Sequence, residues 1–271
     1  MARNREKGKG KTFELKAVHG QPGCRICFVE TKHRNWKNYT LIEGFPGMGL
    51  VGTISAKYLV ERLKFHEIGH IESEIFTPII RIHNGLPVYP SRIYANDEKK
   101  LVVLISEQLI PNQHVVPVAN AVGEWIKSEG VKRVISLAGI QTSDKSSGKV
   151  YGIAANKESR EELKKYNVEV IEDGITTGIT ELMLLGLRDE NTIAFSLMGS
   201  VELGADYKAA SIIIKKLNEV LSLNIEVEPL LKEAKKMEEE LVKQMKRVQE
   251  TKESVESMPD QMGELETPSY T

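Results

Sequence analysis

Four glycines crowd into nine residues, Gly44-Phe45-Pro46-Gly47-Met48-Gly49-Leu50-Val51-Gly52, at the end of an apolar, β-forming run that begins at Tyr39. Leu50, Ile54, Leu59 and Leu63 then recur at helical spacing among small residues. A buried strand that turns through glycines straight into a helix belongs to a layered α/β architecture. Three readings of the glycines stay open. They can let backbones approach where a Cβ would clash. Gly47, Gly49 and Gly52 also spell G-x-G-x-x-G at a helix N-terminus, where free amides can receive an anion or other ligand. With Glu72 or Glu74 as the ribose acid, the same loop would hold a nicotinamide or flavin cofactor. Pro46 inside the turn, and the lack of a clean strand–helix–strand unit beyond it, count against that last reading. On the packing reading, Gly47 and Gly49 tolerate no side chain.

The rest of the body supports the same architecture. Strands are expected near Glu67–Ile71, Leu101–Ser106, Arg133–Leu137, Val150–Ala154, Val168–Ile171 and Ile193–Met198. Helices are expected over Val118–Glu129, Glu158–Tyr166, Thr180–Leu187 and Ala205–Leu221. Buried strands alternating with amphipathic helices predict an α/β sandwich around a largely parallel sheet. Ile79–His83 and Val88–Ala95 flank Asn84-Gly85, a hairpin signal that makes the sheet mixed.

Charge separates the ends from the body. The whole chain of 271 residues has a formal net charge of −1. Residues 1–36 read as a basic N-terminal arm, mostly irregular, with a short strand near Arg25–Thr31. Residues 37–227 form the α/β domain. Over 228–257, Leu230, Ala234, Met237, Leu241, Val248 and Val255 follow a 4-3 heptad spacing among Glu and Lys. That seam is narrow and wants either a partner helix or the body of its own domain. Leu230, Met237, Leu241 and Val248 are the candidate oligomer contacts. Residues 258–271 carry two prolines, a glycine and three acids, and read as a flexible acidic tail.

No run reaches the roughly 18 apolar residues of a membrane span, so no membrane partner is expected. The near-neutral charge argues against a nucleic-acid partner, although Phe13, Phe28 and Trp36 interleave with the arm's cations. Two cysteines make no disulfide framework, and the expected location is cytoplasmic. Cys24-Arg25-Ile26-Cys27 is a lone CxxC, with His19 and His33 the nearby candidate ligands for a metal. Incidental thiols are the plainer reading, and neither metal nor cofactor is expected. Other strand ends carry polar or small residues: Ser106-Glu107-Gln108, then Gly139 with Gln141 and Thr142, then Gly199-Ser200 with Glu202. These would line the carboxyl edge of the sheet, where ligands usually bind. They make no nucleophile–base–acid set, and His114 has no obvious partner. A ligand-binding or hydrolytic enzyme using the loop at 44–52 is therefore the alternative function.

Leu41-Ile42-Glu43-Gly44-Phe45-Pro46-Gly47-Met48-Gly49-Leu50-Val51-Gly52, with Ala138-Gly139-Ile140 and Gly199-Ser200, resembles the archaeal proteasome assembly chaperone family. Relatives include subunit two of the eukaryotic proteasome assembly chaperone. The resemblance covers about residues 37–225. It implies a phosphorylase-like, three-layer α/β/α fold and a protein that is not an enzyme. It also implies a homo-oligomer, a tetramer being one arrangement, and a 20S proteasome α-ring as partner. Binding in that family uses a C-terminal hydrophobic–Tyr–any motif. Here Ser269-Tyr270-Thr271 stands in its place: Tyr270 matches and Ser269 is not hydrophobic. A flexible tail suits entry into a pocket between ring subunits, because its fourteen residues can span at most about 45–50 Å.

Overall fold

A strand buried on both faces needs cover on both, and the chain supplies it with helices. The computed structural model describes residues 12–16, 25–31, 35–142, 148–188, 191–201 and 204–236. In chain order its elements are β1 (Thr12–Lys16), β2 (Arg25–Glu30), β3 (Thr40–Gly44), α1 (Val51–Arg62), β4 (His66–Ser73), β5 (Arg81–His83), β6 (Leu86–Val88), β7 (Ser91–Asn96) and β8 (Leu101–Ser106). There follow α2 (Val115–Ser128), β9 (Arg133–Ile140), β10 (Val150–Gly152), α3 (Lys157–Lys165), β11 (Glu169–Val170), α4 (Ile179–Gly186), β12 (Ile193–Ser200) and α5 (Tyr207–Leu221).

Ten strands form one sheet in the order β1-β2-β4-β7-β8-β3-β9-β12-β10-β11. Its centre, β8-β3-β9-β12, is parallel. β7, β4, β2 and β1 extend it antiparallel on one side, and β10 pairs antiparallel with β12 on the other. Register turns this pairing into layers, because side chains alternate faces along a strand. Val103, Ile42, Ile135 and Phe195 lie side by side across four strands. They join one core with Ala56 and Leu59 of α1, Leu163 of α3, and Ile213 and Leu217 of α5. One residue earlier, Val102, Leu41, Val134 and Ala194 face the opposite way. They join a second core with Val122 and Trp125 of α2 and Met183 of α4. The result is the expected three-layer α/β/α sandwich around a mixed sheet.

Local chemistry sets the helix ends. Asn156 and Asp206 cap α3 and α5 by accepting the amides of Ser159 and Ala209 at 3.0 and 2.8 Å. α2 begins at Val115, three residues ahead of the expected start, because Pro117 is tolerated in a first turn that has no partner for its amide.

Three expectations change. β2 falls on the short strand expected within the arm, but β1 is an additional strand and the arm joins the main sheet: β1 pairs with β2, and β2 pairs with β4. Ile26, Phe28 and Trp36 are buried, and Phe28 stacks on Trp125 with ring centroids 5.0 Å apart. The domain therefore starts before residue 37. The expected hairpin is also split. Asn84 and Gly85 both have positive φ, as a tight two-residue turn needs, but β5 and β6 form a separate two-stranded sheet. Pro90 has no amide to donate, and the chain joins the main sheet only after it, as β7. Finally, residues 228–236 are helical, and Leu230 (3 % exposed) and Ala234 (5 % exposed) belong to the protomer's own core. At this first turn the heptad seam faces the body, so the domain runs past 227. Met237, Leu241 and Val248 lie outside the described residues, as does the tail.

Candidate functional site at the glycine-rich turn

The turn between β3 and α1 is clasped from both sides by backbone. A Cβ on Gly44 would meet Ala56 Cβ at 2.5 Å and the Gly52 carbonyl at 2.6 Å. One on Gly52 would overlap the carbonyl oxygen of Leu137 on β9. One on Gly49 would meet Val201 at 2.6 Å, and Gly49 has φ +63°, a conformation that favours glycine. Gly139 on β9 is packed the same way, against the Met48 carbonyl. The Gly49 carbonyl accepts the Asp206 amide at 2.8 Å, which ties the turn to the start of α5. Close backbone approach therefore explains Gly44 and Gly52, and a positive φ with the packed Val201 side chain explains Gly49.

Gly47 is a correction. Its backbone is extended (φ −147°, ψ −155°), and a Cβ there would meet nothing within 4 Å. Neither packing nor conformation requires glycine at this position. The dinucleotide reading is corrected too. Val201 and Asp206 pack against Gly49, the second glycine, and take the space through which a pyrophosphate would approach the turn. Glu72, on β4, is separated from β3 by β7 and β8, and Glu74 follows it.

The strand-end polar residues mostly satisfy one another. Ser106 Oγ and Ser91 Oγ are 2.9 Å apart, both buried. Glu107 accepts from Arg81 of β5 and Arg92 of β7, and Lys57 Nζ lies 3.8 Å away. This ion cluster pins the small hairpin to the body. Gly199 lies against Ala209 of α5. Gln141 and Thr142 remain at an open edge, while Glu202 lies outside the described residues. So do Cys24, His19 and His33, whereas Cys27 sits on β2.

Sequence reasoning missed a buried acid row. Glu43, Ser136 and Ser196 are register partners across β3, β9 and β12, and all are fully buried. Phe45 N–H donates to Glu43 Oε1 at 2.8 Å, and Thr180 Oγ1 donates to Oε2 at 2.9 Å. Ser136 Oγ lies close enough to favour the carboxylate electrostatically, yet makes no hydrogen bond of normal geometry. Burial dominates over these donors and pushes the Glu43 carboxyl from 4.5 up to about 7. The folded state then binds this proton more tightly than the unfolded chain does. Its contribution to stability is full below about 4.5 and is lost as pH rises through 7. At about 1.4 kcal/mol for each pH unit, the loss approaches 3 kcal/mol. Urea melts of the wild type between pH 4.5 and 8 should show it, and Glu43→Gln should flatten that slope. The signal in the sequence was a lone Glu between Ile42 and Gly44 in an otherwise apolar strand.

Beyond this row, the carboxyl ends of β3, β9 and β12 border a cleft of about 790 Å³. Gly47 and Met48 line one side, and the chain from Ile171 to Glu181 lines the other. Glu181, in the first turn of α4, is half-buried. Burial raises its pKa, opposed by its own amide and by the Thr176 hydroxyl.

Among the described residues no helix is long and apolar enough to cross a membrane. Residues 41–245 match the PAC2 family. An uncharacterised protein of Methanocaldococcus jannaschii is 32 % identical over 215 residues, 79 % of this chain and 88 % of that one. The crystal structure of Pyrococcus furiosus PbaA, an archaeal homolog of proteasome-assembly chaperone, aligns with a TM-score of 0.72 at 32 % identity. The alignment covers 81 % of this chain and 92 % of PbaA. Pyrococcus furiosus PbaB, an archaeal proteasome activator, shares the fold with a TM-score of 0.69 at 24 % identity, over 80 % of this chain and 98 % of its own. With the glycine-rich turn, both faces of the sheet and the start of the C-terminal helix inside the matched range, the chain belongs to the PAC2 family.

Proposed function

We propose that this protein is a non-enzymatic assembly chaperone or regulator of the 20S proteasome. It binds the α-ring through the tail Ser269-Tyr270-Thr271. The observation that carries this reading is the likeness to PbaA, at 32 % identity over nearly all of that chain. The glycine-rich turn agrees with a binding role, since Gly44, Gly49 and Gly52 serve packing and Val201 and Asp206 fill the space beside Gly49. Glu107, a charged strand-end residue, is held in an ion cluster. Tyr270 offers an aromatic body with a hydroxyl, and a terminal carboxylate offers two oxygens to a ring lysine. One tail would bind weakly, and several on one oligomer gain through effective concentration. The deciding experiment is a pull-down with isolated 20S α-rings, comparing the full chain with one lacking 269–271. Retention of the first and loss of the second supports the tail, whereas equal retention moves the contact to the body.

Self-association belongs to the same proposal, and the β5–β6 hairpin is the surface that best supports it. Ile80, Ile82 and Leu86 are 68 %, 69 % and 66 % exposed. With Ile79 and Tyr89 they leave several hundred Å² of apolar surface in water, the scale at which a monomer's surface becomes an interface. Residues 77–90 contain no carboxylate, and Arg81 turns inward to Glu107. A neutral, apolar, self-complementary tongue can meet its own copy without charge repulsion, so the occupant is a second copy of this chain. Ile82→Glu should reduce the mass seen by light scattering to that of the monomer, with the fold retained by circular dichroism. An unchanged mass would exclude the hairpin from the interface.

A further inference from the structure

Gly47 is the glycine of the turn that the fold does not require, and it lines the cleft. The cleft lies at the carboxyl edge of the parallel strands β3, β9 and β12, the edge of an open α/β sheet where ligands enter. A volume of about 790 Å³ is within the range of small-molecule sites.

The lining states what would fit. Phe45, Met48, Ile140, Ile153, Ile171 and Met198 make it largely apolar. Its charged residues are Glu172, Asp173 and Glu181, and no Lys, Arg or His is among them. Glu172 already has a cation, Arg160, at 2.5 Å. Glu181 has none among the described residues, although it is half-buried. It also occupies the first turn of α4, the place on this wall where backbone amides would otherwise attract an anion. A phosphate or carboxylate would therefore meet like charge and no cation. Next to the cleft, sharing Ile140, Gln141, Ile171, Glu172 and Asp173 with it, is a recess lined by Tyr151. Tyr151 is 7 % exposed, and its hydroxyl is buried with no hydrogen-bond partner among the described residues. That hydroxyl is closed off from the recess, so the charge of Glu181 is what the cleft offers a ligand.

We propose that this cleft binds a small organic cation, a primary amine carried on an apolar body, with Glu181 as its counter-charge. The apolar body lies against the Met48 and Ile140 walls. Glycine at 47 keeps the mouth open. This site is independent of the α-ring reading, since no tail residue takes part in it.

The test is calorimetric titration of the full chain with n-hexylamine, n-hexanol and n-hexanoate, three probes that share one body and differ in charge. The amine should bind at least tenfold more tightly than the alcohol, and hexanoate should give no heat of binding. Gly47→Val should weaken the amine about tenfold with an unchanged melting temperature. Glu181→Gln should bring the amine down to the affinity of the alcohol. If Glu181→Gln fails to fold, Gly47→Val together with the ranking of the three probes decides. Hexanoate binding as tightly as the amine, an amine affinity indifferent to both variants, or no binding of the amine at all overturns the proposal.

Discussion

Gly52→Val should lower stability by about 3 kcal/mol or more, the upper end of what overpacking costs. The added side chain has nowhere to go. Its Cβ overlaps the Leu137 carbonyl of the central strand β9, and the Phe45 carbonyl lies 3.0 Å away on the other side. Both obstacles are backbone, so relief requires moving α1 off the sheet, and α1 carries Val51, Ala56 and Leu59 of the core. For a domain of this size the melting temperature should fall by roughly 6–12 °C. Gly47→Val is the matched control, five residues away in the same motif. It meets nothing and keeps an ordinary extended backbone, so it should stay within about 0.5 kcal/mol of the wild type. Thermal melts of the pair at one pH check both. Equal losses would mean that the motif acts as a unit rather than glycine by glycine.

Tyr270→Ala should weaken α-ring binding by about 2 kcal/mol per tail, roughly thirtyfold, if the tail docks as proposed. An oligomer multiplies that loss, because each weakened tail lowers the effective concentration gained by the others. Residues added after Thr271 should do comparable harm by displacing the carboxylate. Ser269→Leu should tighten binding, since it restores the apolar position of the hydrophobic–Tyr–any motif. None of the three should alter the melting temperature if the tail acts only in docking. Surface plasmon resonance on immobilised α-rings reads all three. Indifference to every one of them would leave the hairpin or another face of the body to make the contact.

Residues close in sequence were legible without the structure. The strand Thr40–Gly44, the glycine turn and helix α1 announced themselves because strand period, turn residues and helix period are all local signals. The alternation of later strands and helices was read for the same reason, and with it the layered fold. Family membership was legible from Leu41–Gly52, a stretch whose residues are contiguous in sequence.

What stayed hidden was decided by pairing between distant segments. β2 reads as a short strand within a basic arm, and only its pairing with β4 and the stacking of Trp125, 97 positions on, upon Phe28 make it part of the domain. Pro90 divides a hairpin that the pattern around Asn84-Gly85 makes continuous, and the main sheet claims only the second part. The heptad seam left two destinations open, and the protomer's own core takes Leu230 and Ala234. The four glycines look alike in the chain. Only the approach of Leu137, Ala56 and Val201 separates Gly44, Gly49 and Gly52, which the fold cannot do without, from Gly47, which borders open space. Local preference depends on neighbours in sequence and can be read from them. Burial, excluded volume and the pKa of a carboxyl such as Glu43 depend on neighbours in space, which only the folded chain brings together.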